Sequence, residues 1–122
     1  MVGSGLSPPH RRGDVWRLDD GAAVLVIQAD ALNAELPTTI GVVLTTTPQR
    51  APAPVRVAIP RTASDLDVDV WAKTTLVRTV PVEHLSARLG AVSPPVVDQV
   101  TAALGRIVGA ATGGSQQTGA DR

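Results

Sequence analysis

Few side chains in this 122-residue chain could act as a nucleophile, a metal ligand or a proton-transfer group. Cysteine is absent, and the two histidines stand far apart, at His10 and His84. A disulfide framework, a thiolate metal site and a histidine acid–base pair are therefore not expected. Asp65, Asp67 and Asp69 alternate as in a calcium loop, but the glycine and the distal glutamate of such a loop are missing. These acids indicate a solvated strand face, and we expect neither a metal nor another cofactor.

Arginines concentrate in a segment that lacks acids. The chain holds 11 basic and 11 acidic residues, so its net charge of zero argues against a generally basic nucleic-acid coat protein. Residues 36–64 contain no acid, whereas Arg50, Arg56 and Arg61 lie within them. A guanidinium offers phosphate a fixed two-pronged fork, so this segment could form a positive patch for a phosphate-bearing ligand. Three unrelated, solvated arginines are the alternative.

Strands are expected to position these groups. Valine occurs 18 times while phenylalanine and tyrosine are absent, and stiff valine side chains favour strands. Alternation and turn signals predict strands at residues 13–18, 22–28, 39–45, 55–59 and 71–80, with 65–70 as a further strand or the lead-in to one. Short helical turns are predicted at residues 29–36 and 82–89, the second closed by Gly90.

One longer helix is expected near the end of the chain. Ser93 can cap it, Pro94 suits its first position, and Gly109 suits its stop. Five or six strands followed by this helix predict a mainly β (α+β) domain, in which the helix packs on a small, curled antiparallel sheet. We assign residues 13–111 to this domain, and residues 1–12 and 112–122 to flexible tails.

No apolar run approaches the roughly 20 residues that a membrane helix needs. The longest run covers only residues 22–27, and no apolar segment of the secretory type follows Met1. We therefore expect a protein that acts in the cytoplasm, with no membrane partner.

Five short segments of the chain follow one another in a characteristic order. They are residues 12–16 (RGDVW), 22–27 (AAVLVI), 42–47 (VVLTTT), 73–81 (KTTLVRTVP) and 89–93 (LGAVS). Together, over about residues 11–109, they resemble the MazF/PemK family of toxin–antitoxin toxins. The resemblance implies an SH3-like or CcdB-like barrel, a homodimer and metal-independent cleavage of single-stranded RNA. It also implies inhibition by a cognate antitoxin with a disordered acidic tail.

The same resemblance implies where the chemistry lies. Thr45, with Thr46 beside it, occupies the position of the family's threonine at the end of the third strand. Lys73 and Thr75 stand where some members have an arginine and an aspartate, and Ala22 stands where the family has the arginine of an Arg-Pro pair. Thr45 and Lys73 are therefore the candidate catalytic residues.

Two arginines are candidates to replace the phosphate-binding arginine of the family, whose position Ala22 occupies here. Arg78 matches an arginine that is common in the family, and Arg50 lies in the acid-free segment. Arg78 could equally pair with the acids of residues 65–69. The predicted RNA contacts are Thr46, Arg50, Arg56, Thr75 and Arg78.

The resulting hypothesis is the toxin of a toxin–antitoxin system, an endoribonuclease that works by attack of the ribose 2′-OH. The residues at positions 22 and 75 are compatible with attenuated activity. A catalytically inactive module that binds RNA or an antitoxin peptide is the alternative. A gyrase poison of the CcdB type ranks third, because the chain ends in a polar segment without tryptophan.

Overall fold

The strands form where β-branched residues concentrate, and Pro, Gly and Asp separate them. The computed structural model describes residues 9–109. Its strands are β1 (Asp14–Leu18), β2 (Ala23–Val26), β3 (Thr38–Thr45), β4 (Val57–Ile59), β5 (Val70–Pro81) and β6 (Leu85–Ala91); its helices are α1 (Asp30–Asn33) and α2 (Pro94–Ile107). Single 3₁₀ turns lie at Ala53–Val55, Arg61–Ala63 and Val82–His84.

All six strands join one sheet in the order β4-β5-β3-β2-β1-β6, and each neighbouring pair is antiparallel. The connection from β4 to β5 reaches β6, because Ser64 forms an isolated bridge with Val92 and the Asp65 N–H donates to the Ala91 carbonyl at 2.9 Å. The sheet is thus curled, and its two ends are joined. The prediction of a mainly β domain, a small antiparallel barrel with one C-terminal helix, is confirmed.

The main core lies between one face of the sheet and α2. Val97 and Val100 of α2 are buried, and they pack with sheet residues such as Leu25 and Ile59. The other face carries a smaller cluster around Val24. Burying a side chain of this size contributes about 1.5–3 kcal/mol relative to leaving it exposed. None of the helices within residues 9–109 is long and apolar enough to cross a membrane.

One element differs from the sequence predictions, and another takes one of the two forms predicted for it. The helical turn predicted at residues 82–89 ends at His84, and the chain continues as β6. β6 forms because it pairs with the outer side of β1 and satisfies that strand's free backbone groups. Residues 65–69 form a loop that leads into β5, because the Asp69 carboxylate accepts the Arg61 N–H at 2.8 Å and turns the chain.

Residues 10–12, just before the predicted boundary at residue 13, make contacts with the domain. His10 is buried, the Arg11 N–H donates to Asp14, and the Arg12 N–H donates to Asp30 at 2.7 Å. Of the two predicted tails, residues 1–8 and 112–122 lie outside the described residues.

Candidate functional site

A groove of about 430 Å³ opens where the first three strands and β5 meet the loop of residues 65–68. Its lining is mainly apolar and includes residues with hydroxyl, guanidinium and carboxylate groups. Among the lining residues are Arg17, Ala23, Leu44, Thr45, Asp65 and Asp67. The groove has both the size and the mixed polarity that a nucleotide unit requires.

Thr45 ends β3, is half-buried and lines this groove. Its Oγ1 accepts the Thr47 N–H at 3.1 Å. A hydroxyl that accepts in this way keeps its own proton for donation. Thr46, the next residue, is exposed and also lines the groove. The end of β3 therefore presents hydroxyl groups that can donate to an anionic oxygen.

Arg17 supplies positive charge to the same groove from β1. The register pairs Arg17 with Ala23, and Ala23 with Leu44, so these three residues lie side by side on one face of the sheet. All three line the groove. No hydrogen bond or ion pair of the Arg17 side chain occurs within residues 9–109. The small side chain of Ala23 leaves room beside the guanidinium.

The loop of residues 65–68 also lines the groove and is fixed at both ends. Asp65 binds β6 twice, through its N–H to the Ala91 carbonyl and through Oδ2, which accepts the Ala91 N–H at 3.2 Å. Asp69 holds the other end through Arg61. Between these anchors Asp67 is exposed and lines the groove. This loop therefore offers carboxylates on a positioned backbone.

Arg78, a predicted RNA contact, is not among the residues that line the groove with Thr45. Its guanidinium pairs with the Asp20 carboxylate at 2.9 Å, not with the acids of residues 65–69. Both residues line a second groove of about 380 Å³ together with His84. The Ala22 N–H, followed by the Arg78 guanidinium, lowers the pKa of Asp20.

The other predicted site residues also lie outside the groove. Lys73 and Thr75 alternate along β5 with Ala72 and Thr74, which are buried, so they project from the other side of that strand. Arg50 and Arg56 are exposed on the connection from β3 to β4, away from the groove lining. The structure thus brings together Thr45 and Thr46 and adds Arg17. The roles of Lys73, Arg50, Arg56, Thr75 and Arg78 stay predictions.

Sequence reasoning did not single out Arg17, although a signal for it was present. The Asp19-Asp20-Gly21 turn joins β1 to β2 as a hairpin, and such a turn fixes which residues face each other. Counting outward from it places Arg17 beside the second residue of the Ala22-Ala23 pair. In the described part of the chain, no three His, Asp or Glu residues form a group that could hold a metal ion.

These features define a small antiparallel barrel protein whose groove carries groups suited to a phosphodiester. A family model described as PemK-like, MazF-like toxin of type II toxin–antitoxin system matches residues 11–108. The chain belongs to this family of toxins, and the resemblance of its five segments is confirmed.

Solved structures agree with this assignment. An endoribonuclease from a mycobacterial species is 25% identical with a TM-score of 0.75, covering 89% of this chain and 99% of that one. A mycobacterial endoribonuclease in complex with its cognate antitoxin is 24% identical with a TM-score of 0.72, covering 84% and 98%. The Mycobacterium tuberculosis toxin MazF-mt6 is 20% identical with a TM-score of 0.69, covering 84% and 100%. No curated protein matches the chain significantly.

Proposed function

We propose that this toxin is an endoribonuclease that cleaves single-stranded RNA without a metal ion. The observation that carries the proposal is the groove whose lining contains both Thr45 and Arg17. The family match over residues 11–108 and the 25% identity to a mycobacterial endoribonuclease support it. Because its substrate is cellular RNA, we place its action in the cytoplasm.

The reaction needs groups that this groove can provide. The ribose 2′-oxygen forms a bond to the adjacent phosphorus while the bond from phosphorus to the 5′-oxygen breaks. The 2′-OH loses a proton, the leaving 5′-oxygen gains one, and the products are a 2′,3′-cyclic phosphate and a 5′-OH. Negative charge increases on the non-bridging oxygens in the transition state, so preorganised donors accelerate the step.

Thr45 is suited to be one of these donors. The Thr47 N–H occupies one acceptor position of its oxygen and so orients the hydroxyl, whose proton is available to a phosphate oxygen. We propose that this proton is donated to the phosphate at the cleavage point. Lys73 is the predicted second catalytic group, and Arg50, Arg56, Thr46, Thr75 and Arg78 are predicted to contact RNA on either side.

Substitutions at Thr45 test the proposal by separating the role of the hydroxyl group from that of the side-chain shape. The purified chain should cleave single-stranded RNA in the presence of EDTA and leave 2′,3′-cyclic phosphate ends. Thr45→Val keeps the side-chain shape and removes the hydroxyl, so it should lower kcat by roughly 100- to 1000-fold, the usual cost of one transition-state donor. Thr45→Ser keeps the hydroxyl and should stay within about tenfold of the parent protein.

Two outcomes would contradict the proposal. One is a folded protein that cleaves none of a diverse set of RNAs, and the other is a Thr45→Val variant as active as the parent. Binding of RNA or of an antitoxin peptide without cleavage would instead favour the inactive module. Ala22 and Thr75 favour this second candidate, because they occupy positions where the resemblance implies arginine and aspartate.

We also infer a homodimer that a cognate antitoxin inhibits. Structures of similar proteins include an antitoxin complex from a mycobacterial species and MazE–MazF from Deinococcus radiodurans. Exposed apolar side chains on β3 and β5, namely Ile40, Leu76 and Val77, would be covered in such an assembly. Light scattering at micromolar concentration should give twice the chain mass, and Val77→Asp should reduce it to one chain mass.

A further inference from the structure

We propose that Arg17 clamps the cleaved phosphate, although it stands at none of the positions that the sequence comparison assigns to catalysis. This inference rests on the proposed ribonuclease function. It concerns the cation that neutralises the phosphate, for which Lys73, Arg50 and Arg78 are the candidates predicted from the sequence.

The sheet places Arg17 within reach of the end of β3. Arg17, Ala23 and Leu44 are cross-strand neighbours on three adjacent strands, and β3 continues from Leu44 directly into Thr45. Cross-strand neighbours lie about 5 Å apart at their Cβ atoms, so Arg17 and Leu44, which are separated by β2, lie about 10 Å apart. An extended arginine side chain covers most of this distance, and a phosphate between its guanidinium and Thr45 at the end of β3 would bridge the remainder. The groove lining contains both residues.

Several other arginines are already engaged by groups of the protein itself. Arg12, Arg78 and Arg88 are held in ion pairs with Asp98, Asp20 and Asp14. The Arg106 guanidinium donates to the Pro54 carbonyl at 2.9 Å. Within residues 9–109 the Arg17 side chain has no such partner, and it is the one positive side chain that lines the groove. A guanidinium without an internal partner can bind two phosphate oxygens at once.

The charges of the groove decide where a phosphate sits. Asp65 and Asp67, which also line the groove, repel an anion, whereas Arg17 and the hydroxyl of Thr45 attract one. The phosphate therefore lies at the Arg17 end, and the sugar and base extend toward the carboxylates. Charge that develops on the phosphate during 2′-OH attack is then met by a fixed positive group and a donor.

Cleavage of a short single-stranded RNA that the parent protein cuts tests the assignment. Arg17→Ala should lower kcat/KM by roughly 100-fold or more, and Arg17→Lys should recover only part of this loss because an ammonium lacks the fork. The double variant Arg17→Ala/Ala23→Arg returns a guanidinium to the same groove from β2 and should regain at least about tenfold. Arg11→Ala, an exposed arginine outside the groove, is the matched control and should cleave normally.

Binding gives a second readout that does not depend on turnover. With a 2′-O-methyl RNA that cannot be cleaved, Arg17→Ala should reduce the slope of log affinity against log salt by about 1, the value for one lost phosphate contact. Far-UV circular dichroism of each variant should match that of the parent, since Arg17 is exposed.

The outcomes separate this inference from the proposed function. If the parent protein cleaves RNA and Arg17→Ala cleaves within threefold of it, the inference is overturned while the ribonuclease stands. If Lys73→Ala loses the activity and the salt slope instead, Lys73 is the clamp and the inference is equally overturned. If the parent protein cleaves no RNA, the proposed function is lost, and an unchanged salt slope for Arg17→Ala would overturn the phosphate contact as well.

Discussion

Asn33 is predicted to be the polar residue whose loss most weakens the fold. Its side chain is 3% exposed, and its Oδ1 accepts from Gln28 Nε2 at 3.0 Å and from the Thr39 hydroxyl at 2.8 Å. Its Nδ2 donates to the Gln28 carbonyl and to Asp30. This network joins α1 to β3, the strand that carries Thr45 at its far end.

The cost of Asn33→Ala follows from the groups that lose their partner. The Thr39 hydroxyl is fully buried and would have none, which costs about 1–3 kcal/mol. The Gln28 amide keeps its bond to the Thr38 carbonyl, so its own loss is smaller. We expect the free energy of unfolding to fall by about 2–4 kcal/mol in total. For a domain of this size, that corresponds to a drop of about 10 °C or more in the melting temperature.

A double-mutant cycle makes this reasoning refutable. Thr39→Val alone should cost about 1 kcal/mol, because Asn33 keeps its other partners. In Asn33→Ala/Thr39→Val no hydroxyl is left without a partner, so the double variant should be at least about 1 kcal/mol more stable than the sum of the single effects predicts. Urea unfolding at one protein concentration gives all four free energies. Additivity to within about 0.5 kcal/mol would refute the network.

Three further predictions concern other parts of the molecule. A Cβ added at Gly41 would lie 2.9 Å from the Cβ of Val24, which is too close for two carbon atoms. Gly41→Ala should therefore lower the free energy of unfolding in urea by about 1–3 kcal/mol. An unchanged free energy would contradict this prediction and show that β2 can move aside. Burial lowers the pKa of His10 below its usual 6.5, so the free energy of unfolding should fall as the pH drops below 6.5, where the unfolded chain binds the proton more readily. His10→Leu should flatten the pH dependence of this free energy between about pH 7.5 and 5.5. An unchanged pH dependence in His10→Leu would contradict the prediction. If the Asp67 carboxylate takes the 2′-OH proton, Asp67→Asn should reduce the RNA cleavage rate by about 100-fold or more. Glu35→Gln, at an exposed acid outside the groove lining, should not change the rate, and equal rates for both variants would remove Asp67 from that role.

Local signals in the sequence predicted most of the fold. Ser93, Pro94 and Gly109 bounded α2, and the Asp19-Asp20-Gly21 turn separated β1 from β2. β6 was missed because Leu85 and Leu89 have helical spacing, while the partner that makes the segment a strand is β1, about 70 residues earlier in the chain. Non-local pairing of this kind leaves no mark in a local pattern.

The candidate site could be predicted only in part for a similar reason. Thr45 follows from a strand end together with the family resemblance. The side from which Lys73 projects depends on its alternation with Ala72, and the register irregularity between Val42 and Leu44 alters how β5 faces β3 there. Arg17 enters the groove through its register with Ala23, which only the paired strands reveal.

The wall of the groove has a consequence for how such toxins diversify. The backbone and carboxylate bonds of Asp65 and Asp69 hold the loop at both ends, and the residues between them are Leu66, Asp67 and Val68. Leu66 packs against the core, whereas Asp67 and Val68 are exposed. Substitutions at the two exposed positions would change the surface presented to a bound nucleotide while the anchors, the core contact and the sheet stay intact. Evolution could therefore retune which RNAs are attacked by varying two loop residues, without rebuilding the sheet that carries Thr45 and Arg17.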